Sequence, residues 1–392
     1  MPDTSDEFGA DLERTLPSSW YLEQSVYQLE REHIFMREWF CVEREERVPE
    51  PGDHCVIDVC GESILLVRNT SGQLNAFYNV CRHRGAQLCE AESQTSQGKK
   101  VLLKGGVIAK NRIVCPYHAW RYDLDGQLLS APHMTEDSGF KAQNVSLYPV
   151  ACETWGGFVF LNLSPESAPS FSDHIASISE RFKRYPIADL QSASTISYTV
   201  NANWKVLCEN YNECYHCGPV HPELCKIVPA FKDAGGANLD WDKGVPHRAG
   251  ATTFTLTGTT DRRPFPGLNE DERNHHNGDL LYPNLFLSLA ADHVAAFILR
   301  PVSVSETQVD CYFLFEQHEA QKPTFNPSDA IDFWDLVNRQ DWAICERVQS
   351  GMGARVHKQG LFSPMEDWSL DIRQYVKSRI GKFLESKPSS KP

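Results

Sequence analysis

Residues 209–221 read Glu-Asn-Tyr-Asn-Glu-Cys-Tyr-His-Cys-Gly-Pro-Val-His. This stretch contains two histidines, His216 and His221, and the helix-like spacing of the residues before it predicts a helix that leads into it. Gly218 and Pro219 predict that any helix ends between the two histidines. Imidazoles on both sides of such a break can direct their nitrogens at one point, and imidazole binds zinc, copper, iron or nickel. The alternative is two polar side chains at a helix end, bonded to backbone or water.

The size and composition of the chain are those of an ordinary globular protein. Its 392 residues are enough for two domains with a sizeable core. The net charge of −14 argues against nucleic acid and anionic membranes as partners. Residues 1–16 are acidic and lack an apolar core, so we expect neither a signal nor a transit peptide, and no apolar run is long enough to cross a bilayer. Thirteen cysteines without a small-domain disulfide pattern indicate a reducing compartment, with some cysteines as metal ligands. We therefore expect a cytoplasmic protein.

Short β-like runs separated by turn residues predict a small all-β domain over residues 45–165. Residues 1–17 are predicted to be a loosely packed leader, and apolar spacing predicts an amphipathic helix over 22–40. A linker is expected at 165–169. The predicted strands of the β domain are 54–59, 63–68, 74–79, 112–115 and 157–163.

Two cysteines and two histidines form a second motif inside this β domain. Cys81-Arg-His83 is followed, after a long spacer, by Cys115-Pro-Tyr-His118. Two thiolates and two imidazoles from paired loops can enclose a zinc ion or a Rieske cluster, in which the cysteines hold one iron and the histidines the other. Zinc sites usually have Cys-x₂₋₄-Cys and His-x₃₋₅-His spacing. The Cys-x-His half therefore favours the two-iron cluster over structural zinc.

A carboxylate near the C-terminus offers a third ligand to the two histidines. Residues 328–351 have the pattern of one helix, and Asp341 falls on its apolar stripe. A buried carboxylate is costly unless it is compensated; the compensation can be an arginine or capping amides, or a metal. Together with His216 and His221, Asp341 would form the two-histidine, one-carboxylate site of non-haem Fe(II) oxygenases. The predicted stripe consists of Trp334, Val337, Ile344 and Val348.

These motifs resemble those of Rieske non-haem iron oxygenase α subunits. The likeness rests on Cys-Arg-His-Arg-Gly at 81–85 with Cys-Pro-Tyr-His-Ala-Trp at 115–120, and on the segments 203–221 and 338–349, in the family's order. It runs from about residue 16 to the end. Glu213 stands where aromatic-ring dioxygenases usually carry aspartate, and this resembles the members that act on choline, glycine betaine, stachydrine or carnitine. The spacer after His83 is longer than usual in the family, and its residues 94–110 are predicted to be a surface excursion.

The resemblance implies an α+β fold of two domains. An all-β Rieske [2Fe–2S] domain would span 45–165, beside a catalytic mononuclear-iron domain at 166–392. Residues 1–44 would form the leader and a helix that packs on the catalytic domain. The catalytic domain would have an antiparallel helix-grip (START-like) sheet, and its predicted strands are 195–200, 285–289, 294–299 and 309–315.

The resemblance also implies the cofactors and partners. The [2Fe–2S] cluster would be held by Cys81, His83, Cys115 and His118, and mononuclear Fe(II) by His216, His221 and Asp341. Catalytic roles fall on Asp341 and on Glu213, which would join the cluster of one subunit to the iron of its neighbour in a head-to-tail homotrimer; alternatively, Glu213 only orients His216. No Gly-x-Gly-x-x-Gly motif in a βαβ context is present, so NAD(P)H is expected to act through a separate flavin- or ferredoxin-type reductase.

The expected function is hydroxylation or oxidative N-demethylation of a small quaternary ammonium, betaine-like substrate with O₂. An aromatic cage could hold its trimethylammonium group, although aromatic residues in such numbers are more often simple core. The alternatives are an aromatic-ring-hydroxylating dioxygenase, a Rieske ferredoxin with no reaction of its own, and a zinc-stapled binding protein. The candidate cage residues are Tyr211, Trp241, Tyr282, Phe286 and Phe297.

Overall fold

A computed structural model describes residues 12–90, 107–108, 111–134, 139–233, 240, 242–366 and 369–385. The chain divides into two compact units. One unit is Phe35–His174, and the other combines Met1–Ile34 with Ile175–Pro392. No helix of the described residues is long and apolar enough to cross a membrane.

The N-terminal helix is shorter than the sequence predicts. Helices α1 (Ser19–Leu22) and α2 (Gln24–Glu30) are followed by a π-helical turn, Arg31–Phe35. Phe40 does not belong to this helix, because it begins strand β1 (Phe40–Arg44) and pairs with Leu161. Burial of Phe40 explains the error, since a buried residue continues an apolar pattern whether it lies on a helix or on a strand.

The unit Phe35–His174 contains two antiparallel sheets in its described part. A six-stranded sheet has the order β1-β10-β9-β4-β3-β2, and a four-stranded sheet has the order β5-β6-β7-β8. The five strands predicted here are confirmed with ends shifted by one residue at most. The strands after β1 are β2 (His54–Val59), β3 (Glu62–Arg68), β4 (Leu74–Tyr78), β5 (Val107–Ile108), β6 (Ile113–Val114), β7 (Arg121–Tyr122), β8 (Leu128–Ser130), β9 (Pro149–Trp155) and β10 (Phe158–Asn162).

The core of this unit includes both predicted cysteine ligands. Cys81 and Cys115 are buried in one cluster with Leu65, Phe77 and Trp120. The loops that carry the two cysteines are therefore anchored by apolar burial, the dominant favourable contribution to folding.

The second unit is built on a six-stranded antiparallel sheet with the order β11-β16-β15-β14-β13-β12. Strand β14 is buried at every position, as expected for a strand with both faces covered. The predicted strands of this sheet are confirmed. Its strands are β11 (Leu190–Val200), β12 (Val245–Pro246), β13 (His275–Leu281), β14 (Leu285–Leu289), β15 (Val294–Ser303) and β16 (Glu306–Glu316).

Helices pack on this sheet and place the candidate site. Helix α10 packs against β11 and α4, and α4 also contacts β15. This is the helix-grip arrangement that the sequence predicts. The helices after α2 are α3 (Phe171–Arg181), α4 (Trp204–Tyr211), α5 (Cys217–Val220), α6 (Pro222–Ile227), α7 (Ala230–Asp233), α8 (Glu270–Asn274), α9 (Gln317–Ala320), α10 (Ser328–Met352) and α11 (Ser369–Glu385).

The buried stripe of α10 differs from the predicted one in its second half. Trp334 and Val337 are buried, but Val348 is 40% exposed, so its assignment to the stripe was wrong. The buried face continues instead through Cys345 and Gln349, one residue further along the chain. The predicted positions 344 and 348 lie three and seven residues after Asp341, whereas the buried positions 345 and 349 lie four and eight residues after it. With 3.6 residues per turn, both sets fall near the same face of the helix, so spacing alone does not separate them.

Candidate metal centres

The two histidines of the opening stretch lie at opposite ends of a short helix. His216 precedes α5 and His221 ends it, so α5 itself contains Gly218 and Pro219. The prediction that these two residues end any helix between the histidines is therefore wrong. Proline is tolerated here because backbone N–H groups in a first helical turn have no acceptor within the helix. The break in the chain lies earlier, between α4 and α5.

Three ligand atoms converge where this short helix faces α10. The ligand atoms of His216, His221 and Asp341 all lie within 4.8 Å of one another. Oδ1 of Asp341 is 2.8 Å from Nε2 of His221 and 3.2 Å from Nε2 of His216. The two Nε2 atoms are 3.2 Å apart. In the part of the chain that the structure describes, no other group of three His, Cys, Asp or Glu ligands converges in this way.

Each histidine is oriented by a partner on its other ring nitrogen. Nδ1 of His216 donates to Oε1 of Glu213 at 2.6 Å, and Nδ1 of His221 donates to Oε1 of Gln340 at 2.8 Å. Nε2 of Gln340 donates in turn to Glu223 at 3.2 Å, which fixes which end of the amide faces His221. Protons held on both Nδ1 atoms leave both Nε2 atoms free for a metal. The donor set fits a divalent iron ion.

Sequence reasoning missed the two residues that orient His221. Gln340 directly precedes Asp341, and neighbouring residues on a helix point in directions about 100° apart, so the spacing gives no sign of a shared site. Glu223 follows His221 by two residues and contacts it only through Gln340. Only the contact between α6 and α10 reveals this pair.

The charges around the three ligands favour a cation. Burial lowers the affinity of His216 for a proton, but hydrogen bonds to Asp341 and Glu213 outweigh it and raise its pKa to about 10. Burial also raises the pKa of Asp341, but hydrogen bonds from His216 and His221 outweigh it, so this pKa is lowered. Two carboxylates thus stabilise positive charge at this point.

The three ligands open into a cavity of about 150 Å³. Strands β14 and β15 supply Phe286 and Phe297 to its wall, and α10 supplies Trp334. Tyr211 stacks on Phe286 with ring centroids 4.4 Å apart and donates from its hydroxyl to the carbonyl oxygen of Leu287 at 2.7 Å. Four of the five aromatic residues singled out from the sequence line this cavity, namely Tyr211, Tyr282, Phe286 and Phe297. Trp241 lies outside the described residues.

In the other unit, two loops of the same form carry the cysteine and histidine motifs. The amide of Cys81 donates to the carbonyl of Ala86 at 2.8 Å, and Cys115 does the same to Trp120 at 2.8 Å. Four residues after each cysteine the chain turns with positive φ, at Gly85 (75°) and Ala119 (55°). The first loop follows β4, and the second lies between β6 and β7.

The side chains of these loops form two pairs. Cys81 and Cys115 are 2% and 3% exposed and hydrogen-bonded to each other, while the rings of His83 and His118 are exposed with centroids 4.8 Å apart. Burial raises the pKa of Cys115. The hydroxyl of Tyr122 lies 3.3 Å from Sγ of Cys81.

This pairing distinguishes between the two candidate metals. A tetrahedral zinc ion needs all four ligand atoms close to one point, but within the described residues these four ligands do not form a converging group of three or more. Two sulfurs on one side and two imidazoles on the other match a cluster with two irons. The donor set therefore fits a Rieske [2Fe–2S] cluster and does not fit one zinc ion.

Two further expectations concern the cysteines and the spacer. Cys214 and Cys217, on either side of His216, form a disulfide that the sequence analysis did not predict. The signal was the Cys-x-x-Cys spacing, which small helical turns bring within bonding distance. Of the insert 94–110, only the two residues of β5 are described, and the rest lies outside the described residues.

Family models match both units of the chain. The model described as the Rieske [2Fe–2S] domain matches residues 38–150. The model described as the ring hydroxylating alpha subunit (catalytic domain) matches residues 187–382. The cysteine and histidine loops fall in the first match, and the three converging ligands fall in the second.

Curated relatives cover nearly the whole chain. The carnitine monooxygenase oxygenase subunit of Escherichia coli is 38% identical over 348 residues, covering 88% of this chain and 86% of that protein. The glycine betaine monooxygenase oxygenase subunit of Pseudomonas aeruginosa is 28% identical over 380 residues, covering 89% and 85%. A solved quaternary ammonium Rieske monooxygenase, described with carnitine oxidation by gut microbiota and inter-subunit electron transfer, is similar with a TM-score of 0.72 and 26% identity, covering 95% of this chain and 96% of that one.

The identity to the Escherichia coli protein, spread over most of both chains, shows a common family. The order of the two family models along the chain agrees with it. The chain therefore belongs to the Rieske non-haem iron oxygenase α subunits, oxidoreductases that carry a Rieske [2Fe–2S] cluster and a mononuclear iron and incorporate oxygen from O₂.

Proposed function

We propose that this chain is the oxygenase component of a monooxygenase that hydroxylates or oxidatively N-demethylates a small quaternary ammonium compound. The observation that carries the proposal is the convergence of His216, His221 and Asp341 at an aromatic-lined cavity. The named functions of the relatives support the substrate class, since both act on trimethylammonium compounds.

The proposed ligands follow the two donor sets. Cys81 and Cys115 hold one iron of the cluster, His83 and His118 hold the other, and the cavity triad holds the mononuclear iron. When bound, these irons supply electrons and bind and activate O₂. The chain's own part is to orient both cavity histidines so that their Nε2 atoms face the metal position, which the hydrogen bonds at their Nδ1 atoms do.

Glu213 has a proposed double role. In this structure its carboxylate holds the His216 ring and also accepts from the backbone N–H groups of Tyr215 and His216. These contacts support the role of orienting His216. We propose that Glu213 also joins the cluster of a neighbouring subunit to this site in a homotrimer, and Tyr215, which is 55% exposed beside it, leaves that region accessible.

The cavity walls hold the substrate in this proposal. The faces of Phe286, Phe297 and Trp334 attract a trimethylammonium group by cation–π interaction, worth about 0.5–2 kcal/mol per ring. They also exclude water, which strengthens electrostatic interactions near the iron ligands.

The remaining parts of the proposal concern partners and boundaries. Electrons come from NAD(P)H through a separate flavin- or ferredoxin-type reductase, and the location is cytoplasmic. The Rieske domain was predicted at 45–165 and the catalytic domain at 166–392; we propose the unit Phe35–His174 as the Rieske domain instead, because strand β1 pairs with β10 in its sheet, and Met1–Ile34 with Ile175–Pro392 as the catalytic domain. The aromatic-ring dioxygenase alternative is disfavoured because both relatives are monooxygenases. A Rieske ferredoxin is disfavoured by the second match at 187–382.

A single-turnover experiment tests the function without the native reductase. The holoenzyme is reduced with dithionite, freed of excess reductant, and mixed with O₂ and one compound from a panel of quaternary amines and arenes. Formaldehyde or a hydroxylated amine, formed at up to one equivalent per mononuclear iron, is the expected result. Product formation from arenes alone would refute the amine assignment.

A further inference from the structure

The charged groups around the cavity are almost all of one sign. Four of its lining residues are carboxylates, namely Glu213, Asp279, Asp341 and Asp371, and none of the described lining residues is lysine or arginine. Among the described lining residues, the histidines are thus the only basic side chains, and two of the three belong to the metal triad.

The lining carboxylate Asp279 is already paired with the guanidinium of Arg181. Nη1 of Arg181 lies 2.8 Å from Oδ2 of Asp279, and these side chains are 14% and 20% exposed. Burial raises the pKa of Asp279, although Arg181 opposes this change. A substrate carboxylate near this wall would meet Asp279 before it met Arg181, and like charges at close range are unfavourable.

The polar groups that remain available are neutral. Nε1 of Trp342 and Nδ1 of His276 are buried and have no hydrogen-bond partner among the described residues, and both side chains line the cavity. His276 is uncharged at neutral pH, because burial lowers its pKa to about 3. Neutral donors can satisfy a hydroxyl or carbonyl oxygen, whereas a buried carboxylate needs a cation to offset its loss of hydration.

We infer that this cavity selects a quaternary ammonium cation whose other end is uncharged, such as an amino alcohol, over a zwitterion that ends in a carboxylate. The inference rests on the proposed function and narrows its substrate class. The aromatic faces receive the cationic end, and the neutral donors receive the uncharged oxygen. The two carboxylates at the metal triad balance the charge of a divalent ion and leave no excess positive charge for a substrate anion.

Choline and glycine betaine form a matched pair for the test, because they share the trimethylammonium group and differ in a hydroxyl against a carboxylate. The holoenzyme with a reductase is assayed for O₂ uptake, and anaerobic calorimetry gives both dissociation constants. We expect at least about a tenfold preference for choline in kcat/KM and in affinity, equal to 1.4 kcal/mol. Carnitine methyl ester should likewise be preferred to carnitine. Equal use, or preference for the zwitterions, would overturn the inference.

The Asp279→Asn variant tests the charge argument itself. It leaves Arg181 without this carboxylate, so the ratio of glycine betaine to choline turnover should rise by a few-fold or more. Asp189→Asn, the same change at an exposed position outside the cavity, should leave the ratio unaltered. An unchanged ratio in Asp279→Asn would overturn the step that assigns selection to this ion pair. If no quaternary ammonium compound is turned over, the proposed function fails, a result distinct from a preference for zwitterions.

Discussion

Replacing Gln340 by methionine removes the acceptor of His221 while keeping a side chain of similar length. His221 is 1% exposed, so its Nδ1–H would have no water to replace the 2.8 Å bond. A buried unsatisfied donor costs about 1–3 kcal/mol. The metal-free protein escapes part of this cost, because His221 can then carry its proton on Nε2 beside Asp341. The cost therefore falls on the metal-bound form.

Converted at 1.4 kcal/mol per factor of ten, the expected loss of Fe(II) affinity is about 5- to 150-fold. The assay is chelator competition on protein that retains its cluster, with visible absorption of the cluster as the internal control. Glu223→Gln should give a smaller loss of Fe(II) affinity. It frees the Gln340 side-chain amide to rotate, but that amide still has an oxygen that can accept the hydrogen bond from His221. Gln321→Met, the same substitution at an exposed position, should bind iron normally. An unchanged affinity in Gln340→Met would refute the reasoning.

Three further predictions follow from the same geometry. Asp341→Ala should lower product formation by at least about 100-fold, which is more than the usual effect of mutating a residue that only hydrogen-bonds to a metal ligand. The EPR signal of the reduced cluster should persist. Normal turnover would contradict the assignment of Asp341 as a ligand. Phe286→Leu should raise KM for a quaternary amine by about 2- to 30-fold through loss of one aromatic face, with a smaller change in kcat; an unaltered KM would remove Phe286 from the binding wall. Burial raises the pKa of Glu209 from 4.5 to about 7, so the folded protein binds more protons than the unfolded chain between these values and loses stability as pH rises through them. Glu209→Gln cannot titrate at this position and so lacks this loss of stability. The Tm of the variant minus the Tm of wild type should therefore increase from about pH 4.5 to about pH 7. A Tm difference that does not change with pH would contradict the raised pKa of Glu209.

The sequence predicted well those features that depend on local patterns. Strand β2 alternates between buried and less buried positions over its whole length, and its predicted ends are the observed ones. The three converging ligands were singled out because histidines and a carboxylate stood at positions where apolar residues or turns were expected. Their roles as metal ligands stay a prediction.

The errors share a cause in tertiary contacts. Phe40 continues an apolar pattern but is drawn into a sheet by a strand more than a hundred residues away. Pro219 was expected to stop a helix, although its position in a first turn makes it harmless. Gln340 gives no local sign of its function, because its importance comes from facing His221 across the fold. Such roles depend on distant partners, which a single sequence does not specify.

Each of the two loops that carry the cysteine and histidine motifs is closed by its own backbone bonds, within five residues of its cysteine. The shape of either loop is thus set by its own bonds, while the chain between them also contributes Leu88 and Ile113 to the buried core. Lengthening a tether raises the entropy of closure slowly, by about 0.6 kcal/mol per doubling. Added residues in the connection between His83 and Cys115 therefore cost little closure entropy, so the length of this connection can change with less effect on stability than the two loops themselves.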